Sequence, residues 1–270
     1  MKNISFICLF LSFICFSQNT RFTYNYQFVS DTLKKDIVTN EIAVLDFYSD
    51  EKRSVFTGLK NIISDSTMSV NSRKGLMSFP DSSMKIGYIV EKKNNQDFIY
   101  MYTLDHMVSF PVKVKDERKI NWEILNEQTS ILGYRAQKAT TFFSGRKWTA
   151  WFTTEIPIQD GPYKFYGLPG LILKISDQTN THSFEIISIK TLKSDYFILN
   201  ENAYKEAKQI TLQDYEKIPN PIEEFKRKAL MGDVIFSSSD EKQKFLKDID
   251  AKIKERKKHD NNPIEFILEK

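Results

Sequence analysis

Near the start of the chain, Phe22, Tyr24, Tyr26 and Phe28 alternate with Arg21, Thr23, Asn25 and Gln27. Side chains two apart share one face of a strand, so this period of two lines one face with aromatic rings and the other with polar groups. That pattern predicts a half-buried β-strand. Strand-like runs recur at 41–48, 54–56, 86–90, 98–104, 108–114 and 120–125. A hairpin follows, with Gly133–Phe143 returning through Ser144-Gly145-Arg146 into Lys147–Thr153. Within it Trp148, Ala150 and Phe152 alternate with Thr149, Trp151 and Thr153, which puts the two tryptophans on opposite faces. Two more strands, Leu171–Ile175 and His182–Leu192, flank a short turn at 177–180. Repeated short strands joined by tight turns predict antiparallel pairing rather than βαβ units.

The last third reads differently. Thr211 with Asp214 three residues on caps a brief helix. Asn220 as cap, Pro221 in the first turn and Glu223 start a second, which bears Ile222, Phe225 and Leu230. Ser239 or Asp240 opens the longest, where Phe245, Leu246, Ile249 and Ile253 make one apolar stripe. Its other face carries Lys242, Lys244, Lys247, Lys252, Lys254, Arg256, Lys257 and Lys258 among acids such as Glu241, Asp248, Asp250 and Glu255, an ordinary solvated face. Asn261-Asn262-Pro263 ends it. The expected fold is mainly β: a curved antiparallel sheet, half-barrel or bowl-like, with C-terminal α-helices between about 200 and 260.

Residues 1–17 form the signature of a signal peptide, with Lys2 in front of an apolar run from Ile4 to Phe16 and the small Ser17 at its end. Residues 18–270 are then a single domain, exported to the periplasm or beyond the cell. Cys8 and Cys15 both fall in the removed segment, which leaves neither a disulfide nor a thiol nucleophile. Of 39 basic residues, removing Lys2 leaves 38 against 35 acidic, a net +3. That near balance argues against a nucleic-acid partner. No later apolar run is long enough for a transmembrane segment.

One stretch stands apart: Tyr166-Gly167-Leu168-Pro169-Gly170-Leu171-Ile172. Proline presets φ and glycine supplies a positive φ, so Leu168–Leu171 predicts a type II turn feeding a buried strand. Together with Trp151–Ile158 and Asp160-Gly161-Pro162-Tyr163-Lys164-Phe165, this stretch resembles the signature of the GLPGLI family, secreted or envelope proteins of Bacteroidetes-type bacteria. Leu132–Ala139 and Asn262–Glu265 add supporting marks. The resemblance implies an envelope or secreted location and an association with TonB-dependent uptake, and carries no established reaction. The expected sheet is also similar in outline to the periplasmic lipoprotein-carrier half-barrel and to the bowl-like accessory domain of a bacterial peptide-N-glycosidase.

The residues themselves give little sign of catalysis. His106, His182 and His259 lie far apart without metal-ligand spacing, and neither a nucleophile elbow nor a phosphate loop is present. Glu155 and Asp160 bracket four residues and form a carboxylate pair on paper, but turn-capping or pairing with Arg146, Lys147 or Lys164 is the preferred account of them. No cofactor and no metal site is expected. Trp148, Trp151, Tyr163, Phe165 and Tyr166 crowd a corner stiffened by Pro157, Pro162 and Pro169, either as a ligand surface or as core. Gly161, Pro162, Gly167, Leu168, Pro169 and Gly170 shape that corner. Three functions compete: a non-catalytic binder of a lipid, glycan or peptide; an interaction module for an outer-membrane protein; and a hydrolase using acids of the corner loop. A deep apolar cavity, a flat aromatic patch or clustered carboxylates would favour them in that order.

Overall fold

The computed structural model describes residues 18–94, 96–103, 111–192, 207–218 and 221–266. The expected signal segment, His106, positions 104 and 108–110 of two expected strands, and the Asn220 cap lie outside these residues. Along the chain run β1 (Thr20–Phe28), β2 (Thr39–Tyr48), β3 (Arg53–Gly58), α1 (Leu59–Arg73), β4 (Tyr88–Lys93), β5 (Ile99–Thr103) and β6 (Val112–Asp116). Then come β7 (Glu123–Ile131), β8 (Tyr134–Phe143), β9 (Arg146–Thr153), β10 (Leu171–Asp177), β11 (His182–Thr191) and β12 (Lys208–Thr211). Three helices follow among the described residues: α2 (Leu212–Glu216), α3 (Pro221–Met231) and α4 (Ser239–His259).

The strands form one open sheet in the order β12-β6-β5-β4-β3-β2-β1-β11-β10-β9-β8-β7. The mainly β, curved-sheet expectation holds, and every pairing is antiparallel except β12 with β6. The aromatic alternation of β1 sets the inner face. Phe22, Tyr24 and Tyr26 stand opposite Leu45, Ala43 and Glu41 on one side and Ile189, Ile186 and Phe184 on the other. The register then carries the same face through Phe56, Val90, Met101 and Val114 toward one edge. Toward the other it runs through Ile175, Ala150 and Ala139. Tyr26 stacks on Phe28 and Phe184 at 4.9 and 4.2 Å, and Phe56 meets Phe184 edge-on at 5.8 Å. A smaller cluster, Val44, Val55, Ile62, Ile89 and Tyr102, lies on the outer face, where α1 contributes Ile62.

The β8–β9 hairpin turns on two residues, Ser144 and Gly145, with φ of 51° and 77°. Positive φ at both positions suits the right-handed twist of the paired strands, so Arg146 belongs to β9 rather than to the turn. Thr211 caps α2 by accepting from the Asp214 N–H, and Ser238 caps α4 in the same way through Glu241. α3 and α4 form a hairpin in which Phe245 of α4 meets Phe225 of α3 at 5.4 Å and Phe236 of the connecting segment at 5.2 Å. Lys226–Asp250 and Lys257–Glu223 pair across it.

Candidate functional site

The corner loop, residues 154–170, is the last layer of the core. It folds over the inner face of the sheet and fills it. Ile156, Ile158, Tyr163, Phe165 and Leu168 are all buried among the strand side chains. Tyr163 meets Tyr88 at 5.4 Å and Phe56 at 6.5 Å, while Phe165 sits 4.7 Å from Trp148 and 5.9 Å from Phe143. The Tyr24 hydroxyl donates to the Ile172 carbonyl at 2.8 Å, so a fully buried ring of β1 is tied to the strand leaving the loop.

The loop's backbone is sharply folded. Amides of Ile158, Asp160 and Gly170 donate to the carbonyls of Ile156, Ile158 and Leu168 at 2.7–2.8 Å, giving three-residue turns centred on Pro157, Gln159 and Pro169. The expected type II turn is therefore replaced by a tighter one. Leu171 N–H turns instead to the Ile156 carbonyl at 3.1 Å. Gly170 is required by close approach: a Cβ there would stand 1.9 Å from the Thr153 carbonyl oxygen. Gly161 is similarly confined, since a Cβ on it would meet Ile172 side-chain atoms at 2.8 Å.

Buried charge fixes the loop in place. Lys92 pairs with Asp160 at 2.5 Å and donates to the carbonyls of Gly161, Tyr163 and Phe165 at 2.6, 3.0 and 3.4 Å. Burial pushes the Lys92 ammonium pKa down, and Asp160 opposes that shift. Lys164 reaches Asp116 at 3.1 Å and Glu265 at 2.9 Å, and Arg118 pairs with the same two acids. Burial alone would raise the Asp116 pKa, but the Arg118 hydrogen bond and the Lys164 charge outweigh it and hold it at about 2. A third cluster binds the C-terminal segment. Arg146 pairs with Asp177 at 3.0 Å and donates to Asn262 Oδ1 and the Pro263 carbonyl at 2.5 and 2.6 Å. His182 Nε2 lies 3.1 Å from the Asn262 carbonyl and Nδ1 lies 2.7 Å from the Tyr26 hydroxyl. A carbonyl only accepts, so Nε2 carries the proton and Nδ1 receives the Tyr26 O–H. Burial and the nearby Arg146 charge lower the His182 pKa to about 4, which keeps the ring neutral.

These placements redraw the expected site. Trp148, Tyr163 and Phe165 are core, so the five-ring ligand surface does not exist as a unit. Pro162 and Leu168 are buried with them, whereas Gly167 and Pro169 are exposed. Trp151 is half-buried on the outer face, with Lys138 5.9 Å from its ring centre. Tyr166 is half-buried on the loop side, and its carbonyl accepts from Trp122 Nε1 at 2.8 Å. The sheet thus separates the two rings that keep some exposure. Glu155 and Asp160 are also parted: Glu155 is exposed and accepts from the Arg135 amide at 2.8 Å, while Asp160 is buried against Lys92. Of the remaining histidines, His259 is paired with Asp31 at 2.7 Å. Among the described residues no three His, Cys, Asp or Glu side chains converge as metal ligands.

What stays open at the corner is a cleft of about 170 Å³ beside Tyr166 and Gly167. Phe98, Asn94, Gln96, Asp97 and Gln159 line it, over the Lys92–Asp160 pair. Drug-sized pockets run to about 300–1,000 Å³, so this one takes a single ring or side chain of a larger ligand. The recess between β6 and α2 is wider, about 650 Å³, and lined by Lys115, Glu117, Arg118 and Lys217. Neither is a deep apolar cavity. The sequence reading missed Lys92, Asp116 and Phe98, and it offered Lys164 as a partner for Glu155 or Asp160 rather than for Asp116 and Glu265. Lys92 follows Tyr88 and Val90, and Asp116 follows Val112 and Val114, at the strand period of two. Charges at inward positions of otherwise apolar faces were the signal that something must pair with them.

An open bowl of twelve strands closed by its own loop is thus the class of fold. The chain matches the model of a Bacteroidetes-type family described as "Protein of unknown function (Porph_ging)" over residues 143–174. That segment runs from the end of β8 through β9 and the corner loop into β10. Among solved structures the chain is similar to PNGF-II in two crystal forms, C2 and P21, with TM-scores of 0.51 and 0.52 and 16% identity. Each match covers 74% of this chain and 32% of that one, so this chain spans about a third of that protein's length. At that identity the likeness is one of fold. A search of curated proteins finds no match.

Proposed function

We propose that the protein is an exported, non-catalytic binding module of the cell envelope, of the GLPGLI type, released from a signal peptide ending at Ser17. The observation that carries this reading is the cleft beside Tyr166 and Phe98, which stays open at the corner while Tyr163, Phe165 and Leu168 fill the bowl itself and leave no interior cavity for a lipid among the described residues. The buried charges around it are matched to one another in ion pairs, which suits structural use better than acid–base work. Binding then falls to the outside of the loop, at the cleft of Tyr166 and Phe98. Aromatic rings beside fixed amides offer a stacking face and hydrogen bonds to one sugar ring or one peptide side chain. The likeness to one third of a longer chain adds weight to an accessory role beside other domains or partners.

The test is a screen of immobilised glycans and peptides against the purified protein, repeated with Tyr166→Ala. Capture lost in that variant at an unchanged melting temperature supports the reading. Equal capture by both proteins, or turnover of any captured ligand, contradicts it.

A further inference from the structure

On the outer side of the sheet, α1 ends at a left-handed Gly75 (φ 71°), where Lys74 and Leu76 amides return to the Asn71 carbonyl. The chain then runs back alongside the helix. It is caught again where the Asp81 amide donates to Ser64 Oγ at 3.1 Å and Lys60 Nζ donates to Ser83 Oγ at 2.9 Å. Between these anchors Leu76, Met77 and Phe79 are 58%, 86% and 81% exposed. Ile63 and Val70, on α1 itself, are exposed as well. Among the described residues, none of these five side chains belongs to either buried core cluster or packs against one.

Around them the charge is uneven. From 59 to 85 the chain carries Lys60, Arg73, Lys74 and Lys85 against Asp65 and Asp81. All four basic residues are exposed, and Asp81 is engaged by the Ser83 amide at 2.8 Å. The loop thus pairs protruding apolar side chains with the exposed Arg73 and Lys74 cations that precede them. Such side chains suit a soft surface into which they can sink, with cations remaining at the headgroup level. We propose that the 75–79 loop is a membrane-docking wedge, which seats Leu76, Met77 and Phe79 in the interface of an anionic bilayer while Lys60, Arg73, Lys74 and Lys85 hold the headgroups. This inference does not depend on the Tyr166 cleft.

The experiment is co-sedimentation of the purified protein with vesicles of phosphatidylglycerol and phosphatidylethanolamine, compared with phosphatidylcholine alone. Wild type should bind the anionic vesicles and not the zwitterionic ones. Raising the salt from about 0.1 M to about 1 M, which shortens the screening length from about 10 to about 3 Å, should weaken binding. Met77→Ser with Phe79→Ser should reduce the partition coefficient by about tenfold or more, since each buried methylene contributes about fourfold. Both residues are exposed, so the melting temperature should stay unchanged. Four results would overturn the proposal: no sedimentation with anionic vesicles; equal binding to both vesicle types; undiminished binding by the double variant; or a Met77- and Phe79-dependent dimer in size-exclusion chromatography that leaves vesicles unbound.

Discussion

Two glycines of the same heptapeptide have different jobs. Gly167 has φ of 91° and open space where a Cβ would point, whereas Gly170 has the Thr153 carbonyl in that place. Gly167→Ala should therefore cost only backbone strain, about 1 kcal/mol. Gly170→Ala adds a clash with backbone that cannot rotate away and should cost about 2–4 kcal/mol. Urea denaturation of the two variants checks the order, and equal losses would argue against close approach as the reason for Gly170. His182 gives a pH signature. Its folded pKa of about 4 lies below the ordinary 6.5, so between those values the unfolded chain binds a proton that the folded one refuses. Stability from this group is thus present at neutral pH and falls as pH drops through that window, by about 2 kcal/mol between pH 7 and pH 5. The Asp116 contribution is lost lower, between its ordinary 3.8 and about 2, which keeps the two apart. His182→Gln should be less stable at pH 7 and nearly flat over the upper window. A slope unchanged in that variant would assign the acid sensitivity elsewhere.

The corner loop behaves as an element of the core although it has no regular secondary structure. Tyr163→Ala should then cost about 3–5 kcal/mol, as for other large aromatic deletions from a packed interior. Trp151→Ala, on the half-exposed outer face, should cost clearly less, and thermal melts would rank the two. Much of this arrangement was legible beforehand. The period of two in β1 and the hairpin of β8 and β9 fixed the sheet's inner face, and Thr211 and Asp214 located α2. Other elements were silent. α1 follows Gly58, which offers no side-chain cap, and is built from Ser, Thr and Asn as much as from good helix formers, so neither a boundary nor a clean stripe announced it. β12 has four residues and pairs in parallel across a long connection, which local sequence does not encode. The site was half legible for a similar reason. Aromatics between prolines have the same composition whether the loop faces water or a sheet, and only the inward Lys92 and Asp116 distinguished the two.

Seen whole, the molecule is a sheet whose concavity is occupied by its own chain and whose rim is tied by the C-terminal segment. Asn261 N–H donates to the Ser30 carbonyl, Asn262 to the Val29 carbonyl, Arg146 holds Pro263, and Glu265 answers Lys164. Among the described residues no helix is long and apolar enough to cross a membrane. The loop's standing, permanent plug or opening lid, decides whether ligands meet the outside of the corner or the inside of the bowl. Native-state hydrogen exchange reads this directly at the amides of Phe165, Leu171 and Ile172, which donate to the carbonyls of Pro162, Ile156 and Asp160 at 3.1, 3.1 and 2.9 Å. If the loop is core, these amides exchange only with global unfolding, at the same free energy as the amides of β1 and β11. Exchange several kcal/mol easier than in those strands would mean that the loop opens on its own, and would contradict the plugged bowl.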